Sequence, residues 1–310
     1  MKDRSRLTTE KRNPHSRRLD RMDTLEIVEV INAEDARVVP AVAKQRKEIA
    51  SAAKLITERL RRGGRLIYVG ADTSGRLGVL DASECPPTFG SRPSMVQGII
   101  AGGRRALVRS VEGAEDCAED GRGAVNAKRI TGCDVVVGIA ACGLTPFVLG
   151  AVERGREVGA ATVLVTCSPE SARCAPADIV ISPVVGPEVV TGSTRMKAGT
   201  ATKLVLNTLT TTVMIKLGKV YENLMVDLRA TNEKLRDRSE RIVMELAGVG
   251  RQKARKLLVG AGGAVKVALV MFFRDVSSAR ARKILNSANQ SLRKAISRDT
   301  QHRPRRRRVK

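Results

Sequence analysis

Proton transfer in this chain has few possible carriers. Both histidines, His15 and His302, lie in terminal segments, and Cys85, Cys117, Cys133, Cys142, Cys167 and Cys174 form no C-x-x-C pair. No Cys/His zinc site is expected, no metal of any kind is invoked, and carboxylates are left to act as acids and bases. The candidates are Glu84 in "GVLDASECPPTFG" (78–90), Glu112, Glu115 and Asp116 in "SVEGAED" (110–116), and Glu188 in "GPEVVTGST". Taken singly, each reads first as a solvated charge at the end of an element and only second as a catalytic group. Cys85 has no cysteine or histidine partner at useful spacing and reads as a packed residue.

Hydroxyls gather in three short stretches. "GADTSGRLG" (70–78) offers Thr73, Ser74, Gly75 and Arg76 ahead of a helix. "AACGLTPF" (140–147) places Thr145 before Pro146, and "GPEVVTGSTRMKAGT" (186–200) places Ser193 and Thr194 before a helix opening with Arg195 and Lys197. Hydroxyls and backbone N–H groups at a helix N-terminus cradle anions such as a phosphate. Basic residues there oppose the helix dipole and ask for an anion nearby. No stretch is a Walker A loop, since the Gly-Lys-Ser/Thr ending is absent, and Asp72 stands where G-x-G-x-x-G needs its second glycine. Ordinary N-capping by Thr73 or Ser74 remains the alternative on the residues alone.

The elements that must position these residues show in the hydropathy pattern. Residues 24–62 have helical spacing, with Pro40 expected as a break and Gly63-Gly64 as a stop. Short apolar runs follow at 65–70, 95–103, 134–143, 161–170 and 177–186, separated by helical stretches. Continuous apolar strands alternating with helices predict an α/β fold with a parallel sheet covered on both faces. In such sheets ligands sit beyond the carboxyl ends of the strands, where the hydroxyl stretches fall. A long helix is expected from about Met196 to Leu217, and only helices after Asp227. "ARKLLVGAGGAVKVAL" and "ARKILNSANQSLRKAI" share a rhythm that fits either a duplicated helix pair or two similar amphipathic helices.

Composition narrows the classes. The 310 residues carry a formal charge of +24, part of it in the terminal "QHRPRRRRVK". With no Trp, two Tyr and four Phe, stacking platforms are scarce and no dedicated nucleic-acid binding is expected. The same field suits an anionic small molecule such as a sugar phosphate. No apolar run is long enough to span a membrane, the N-terminus has no apolar stretch behind its charges and is not expected to be a secretory signal, and Asp3, Glu10, Asp20 and Asp23 among its arginines weaken a transit-peptide reading. Scattered cysteines fit a reducing cytoplasm.

The stretches "LTTEKRNPHS", "GRLIYVGADTSGRLGVLDASECPPTFG", "GIIAGG", "VEGAED", "GPEVVTGSTRMKAGTATKLVLN", "LGKVYENLMVDLRATNEKL" and "RIVMELAG" resemble, in order, the N-acetylmuramic acid 6-phosphate etherases of the sugar isomerase (SIS) superfamily. The resemblance runs from about residue 7 to about residue 297. It implies a three-layer SIS sandwich with a five-stranded parallel sheet, followed by a small helical domain. The implied domains are an N-terminal helical segment (1–54), a sugar-phosphate domain (55–218), a C-terminal helical domain (219–297) and a basic disordered tail (298–310). It further implies a cytoplasmic homodimer that needs no cofactor and cleaves the D-lactyl ether of its substrate, giving N-acetylglucosamine 6-phosphate and D-lactate in cell-wall sugar recycling. The family's two active-site carboxylates fall on Glu84 and Glu115. The implied phosphate site takes in Thr73, Ser74, Gly75, Thr145, Ser193 and Thr194, with Arg76, Glu188 and Lys197 as weaker substrate contacts.

One continuous helix from Ser74 to Glu84 would separate them by about 15 Å along its axis, too far for a hexose phosphate to bridge easily. Either the helix breaks at Gly78 or Glu84 serves the partner subunit's pocket, and the second is favoured. Three positions depart from the family pattern: Asp72 replaces Gly, and Cys142 and Leu144 replace Ser and Arg. Asp72 brings a negative charge, Cys142 is a weaker donor than Ser, and Leu144 removes a cation whose charge-assisted hydrogen bond is worth about 1.5–3 kcal/mol; either the pocket tolerates these changes or the enzyme is weakened or repurposed. The rival readings are a non-catalytic sugar-phosphate-binding regulator of the same superfamily, and a ketose–aldose phosphate isomerase.

Overall fold

The structure is a computed structural model that describes residues 5–228, 230 and 232–297. The expected basic tail, 298–310, lies outside the described residues. The chain divides into two compact units, residues 1–86 with 92–213 and residues 87–91 with 214–310.

The first unit opens with three short 3-10 turns and then α1 (Thr24–Asp35), α2 (Val38–Lys44) and α3 (Arg46–Arg61). A capping box starts α1: Glu26 N–H donates to Asp23 at 2.9 Å, and Asp23 N–H donates to Glu26 at 2.8 Å. Pro40 does not break the helix as expected. It occupies the first turn of α2, where its missing N–H has no intrahelical acceptor to lose, and the chain bends instead at residues 36–37 and at Gln45. Residues 54 and 55, the expected boundary between segment and domain, lie inside α3.

Five strands follow, β1 (Leu66–Gly70), β2 (Val96–Ile100), β3 (Val135–Ile139), β4 (Ala161–Val165) and β5 (Ile179–Ile181). They form one parallel sheet in the order β2-β1-β3-β4-β5. Every residue of β1, β3 and β4 is buried, which is why these strands read as unbroken apolar runs. The connecting helices are α4 (Asp72–Phe89), α5 (Ala118–Ala127), α6 (Pro146–Glu157) and α7 (Pro169–Ala172), and α8 (Lys197–Lys216) comes after β5.

The second unit has a two-stranded hairpin, β6 (Val220–Tyr221) with β7 (Leu224–Met225). Then come α9 (Glu233–Ala247), α10 (Arg251–Gly260), α11 (Val265–Arg274), α12 (Ser278–Ser287) and α13 (Leu292–Ile296). Its core residues recur between the helix pairs α10–α11 and α12–α13. Ala254 answers to Ala281, Leu258 to Leu285, Val265 to Leu292 and Ala268 to Ala295, all buried. The shared rhythm in the sequence is thus a repeated pair of helices with the same inward positions. Among the described residues no single helix is long and apolar enough to cross a membrane.

Candidate active site

The carboxyl ends of the central strands are level, with Gly70 paired to Ile100 on one side and to Ile139 on the other. From β1 the chain goes to one side for β2 and to the other for β3. Such a reversal in strand order opens a crevice beyond the strand ends.

There α4 begins at Asp72, whose φ of 45° lies in the left-handed region that glycine fits best. Ser110 donates its hydroxyl to Asp72 Oδ1 at 3.3 Å, and Arg76 Nη2 stands 3.9 Å from the same oxygen. Gly75 lets the first turn of α4 lie directly on the sheet, since a Cβ there would meet Ile100 Cγ1 at 2.6 Å and the Gly70 carbonyl oxygen at 2.8 Å. At Gly78 a Cβ would stand 2.9 Å from Tyr68 Cβ. Neither glycine interrupts the helix. Ala82, Cys85 and Phe89 are buried along one face of α4, and that burial carries the helix through Pro86 and Pro87 to Phe89 against their local preference.

A cavity of about 210 Å³ occupies the crevice. Thr73 and Ser74 line it from the first turn of α4, residues 139–142 from the end of β3, Thr145 from the N-cap of α6, and Gly192 and Thr194 from the loop before α8. The hydroxyls of Thr73, Ser74, Thr145 and Thr194 have no hydrogen-bond partner among the described residues. The first turn of α4 and the N-cap of α6 both reach the cavity, each bringing the partial positive charge of a helix N-terminus to it. Three carboxylates share the lining, Glu10, Asp72 and Glu115, and no lysine or arginine does. The Glu115 carbonyl accepts the N–H of Phe147 at 3.0 Å, which ties the "VEGAED" turn to the start of α6.

Five of the expected site residues, Thr73, Ser74, Glu115, Thr145 and Thr194, therefore surround one cavity. Gly75, Arg76, Ser193, Glu188, Lys197 and Glu84 do not line it. Arg76 donates through Nε to the Leu107 carbonyl at 3.3 Å. Glu188 is buried and accepts the backbone N–H groups of Lys197 at 3.0 Å and Ala198 at 2.9 Å. The wholly buried Lys197 donates its ammonium to Glu34. The anion called for by a basic helix start is thus supplied twice over from within the fold. Burial pushes the Glu34 carboxyl up, but hydrogen bonds from Lys197, Asn13 and His15 outweigh it and hold the group below its usual range. Glu188 lies above its usual range because burial outweighs its two backbone donors.

Glu84 sits on the outer face of α4 with its side chain 62% exposed. One turn earlier, Asp81 is buried at 4% and accepts the hydroxyl of Tyr68 at 3.0 Å. Lys203 on α8 stands 3.7 Å from Asp81 Oδ1 and 3.7 Å from Glu84 Oε2. Cys85 is buried, donates to the Asp81 carbonyl at 3.3 Å, and has its thiol pushed up to about 12 by burial and by Asp81. It is a packed residue with no thiolate to offer.

The departures separate. Asp72 and Cys142 line the cavity. Leu144 does not, contrary to expectation; it lines a different hollow of about 430 Å³ with Leu7, Leu149 and Pro176. Glu10 went unremarked as a site residue. Its segment is held at the cavity by bonds to distant residues, among them Thr8 to Glu170 at 2.7 Å and Ser16 to the Val189 carbonyl at 2.7 Å. Only the motif "LTTEKRNPHS" hinted at it. Among the described residues no group of three His, Cys, Asp or Glu is placed to hold a metal ion.

Residues 48–155 match the family described as the glucokinase regulatory protein N-terminal SIS domain. The chain is 56% identical over 272 residues to an N-acetylmuramic acid 6-phosphate etherase of Symbiobacterium thermophilum, covering 88% of this chain and 90% of that one. It is 53% identical over 294 residues to the protein of the same name from Salinibacter ruber, covering 94% of each. With that of Trichormus variabilis the figure is 52% over 296 residues, covering 96% of each.

Proposed function

This chain belongs to the N-acetylmuramic acid 6-phosphate etherase family, and from that membership we propose how its carboxylates divide the reaction. The protein is an etherase acting on N-acetylmuramic acid 6-phosphate in amino sugar recycling. The phosphate lies against the hydroxyls of Thr73, Ser74, Thr145 and Thr194 and the N-termini of α4 and α6. Once the sugar ring opens to its aldehyde, the C2 hydrogen becomes acidic. Glu115 takes that proton, the C2–C3 double bond forms, and the C3–oxygen bond breaks. Glu84 gives its proton to the departing lactyl oxygen, which leaves as D-lactate. Water then adds at C3 and a proton returns to C2, giving N-acetylglucosamine 6-phosphate. An alkoxide leaves poorly, so general acid assistance is worth about 10²–10⁴-fold.

The observation that carries this reading is the separation of the two glutamates. Glu115 lines the cavity, while Glu84 is exposed on an unbroken helix and lies outside it. This supports the reading in which Glu84 completes the cavity of a second copy of the chain and the working enzyme is a homodimer. Six free cysteines, three of them exposed, fit a reducing cytoplasm.

Incubation with N-acetylmuramic acid 6-phosphate and an assay for D-lactate tests the activity. Mixed dimers of Glu84→Ala subunits with Thr145→Val, Ser74→Ala subunits test the sharing, since one intact site forms only if the glutamate comes from the partner. No recovered activity in the mixture would count against a shared site.

A further inference from the structure

Glu84 is held in place by a single group among the described residues, the ammonium of Lys203. Lys203 Nζ is sheltered from solvent and makes no hydrogen bond among the described residues. It stands 3.7 Å from a carboxylate oxygen of each of two acids, Asp81 and Glu84. A sheltered ammonium with its three donors unmade is costly. Its remaining attraction is to these two carboxylates, and a shift of well under 1 Å closes a hydrogen bond to either. Asp81 has other partners, the Tyr68 hydroxyl at 3.0 Å and the Thr210 hydroxyl at 3.4 Å. Glu84 has none.

We infer that Lys203 is the positioning residue for Glu84, holding its carboxyl on the outer face of α4 and supplying the countercharge when that carboxyl gives up its proton. The inference rests on the assignment of Glu84 as the acid. As the lactyl oxygen leaves, Glu84 becomes a carboxylate beside the buried Asp81. Without a cation between them the two negative charges would oppose that step. The ammonium of Lys203 is sheltered from solvent, so the role assigned to it is exercised through Glu84 and not on the substrate. The other titratable groups around the pair are Asp81 and Cys85 on α4 and Tyr68 on β1. Burial raises Asp81, and the Tyr68 hydrogen bond and Lys203 pull it down. Cys85 and Tyr68 both stay neutral near pH 7.

The test compares Lys203→Met and Lys203→Arg, alone and combined with Glu84→Gln, in the intact dimer. Lys203→Met should lower kcat for D-lactate release by about ten- to a hundredfold with KM little changed, and Lys203→Arg should restore most of the loss. In the Glu84→Gln background Lys203→Met should cost less than about twofold more, since the group it serves is gone. Multiplying losses, or a raised KM with kcat held, overturns the inference. A second readout does not depend on turnover. In crystals of Lys203→Met the Glu84 carboxyl should leave its place on the outer face of α4 or spread over several rotamers, whereas Lys203→Arg should keep it in place. A Glu84 side chain that stays ordered and unmoved in Lys203→Met refutes the role of Lys203 even in a folded and active variant. Wild-type protein that releases no lactate overturns the etherase assignment separately, while the position of Glu84 in the variant still decides whether Lys203 holds it.

Discussion

The carboxylate of Glu188 accepts the backbone N–H of Lys197 at 3.0 Å, closing the N-terminus of α8 from inside the fold. That end of α8 is satisfied by a buried acid and is not free to bind an anion through those donors. Glu188→Ala should therefore act on stability more than on binding. The expected loss is about 2 kcal/mol in denaturant unfolding, with KM for the sugar phosphate within about twofold of wild type. A large rise in KM at unchanged stability would instead make Glu188 a substrate contact.

Asp72 brings a negative charge to the hydroxyl-lined cavity and holds a backbone conformation suited to glycine. Asp72→Gly should lower KM for N-acetylmuramic acid 6-phosphate by about tenfold, because a like charge beside the phosphate is removed. Stability should change by less than about 1 kcal/mol, since relief of the left-handed strain is offset by glycine's freedom in the unfolded chain. Steady-state kinetics and thermal unfolding of the one variant check both halves.

The two glutamates should fail differently. In deuterated water, Glu84→Gln should still exchange the C2 hydrogen of the substrate while releasing little D-lactate. Glu115→Gln should lose exchange and release together. Proton NMR of the recovered substrate reads the exchange, and the opposite pattern would reverse the roles.

The segment carrying Glu10 is pinned through Glu170, which accepts the hydroxyls of Thr8 and Ser168, each at 2.7 Å. Burial raises the Glu170 carboxyl, but these hydrogen bonds dominate and bring it down to about 2 from the usual 4.5. A carboxyl lowered in the folded state adds stability above its unfolded pKa and loses it as pH falls through its folded one. Wild type should therefore be more stable than Glu170→Gln at pH 7. The gap should close between about pH 4.5 and about pH 2, as followed by unfolding midpoints across that range.

What could be read along the chain was whatever depends on near neighbours. Buried strands show as unbroken apolar runs because both faces of the sheet are covered. Hydroxyls next to a glycine turn mark the ends of those strands because a helix must start there. Hence Thr73, Ser74, Thr145 and Thr194 could be singled out before their common cavity was seen.

Residues whose partners lie far off in sequence were less legible. Lys197 and Glu188 read as weaker ligand contacts, and no local pattern showed that Glu34 and the start of α8 take up their bonding. Pro86 and Pro87 disfavour a helix by local preference, yet burial of Ala82, Cys85 and Phe89 carries α4 past both. Glu10 reaches the cavity through contacts spanning most of the first unit, and no local pattern encodes that. Strand runs, helix starts and the inventory of carboxylates belong to the sequence alone. Which carboxylate enters the cavity, which one caps a helix and which one stands exposed beside Lys203 was decided by tertiary packing, because burial and charge pairing are settled only when distant segments meet.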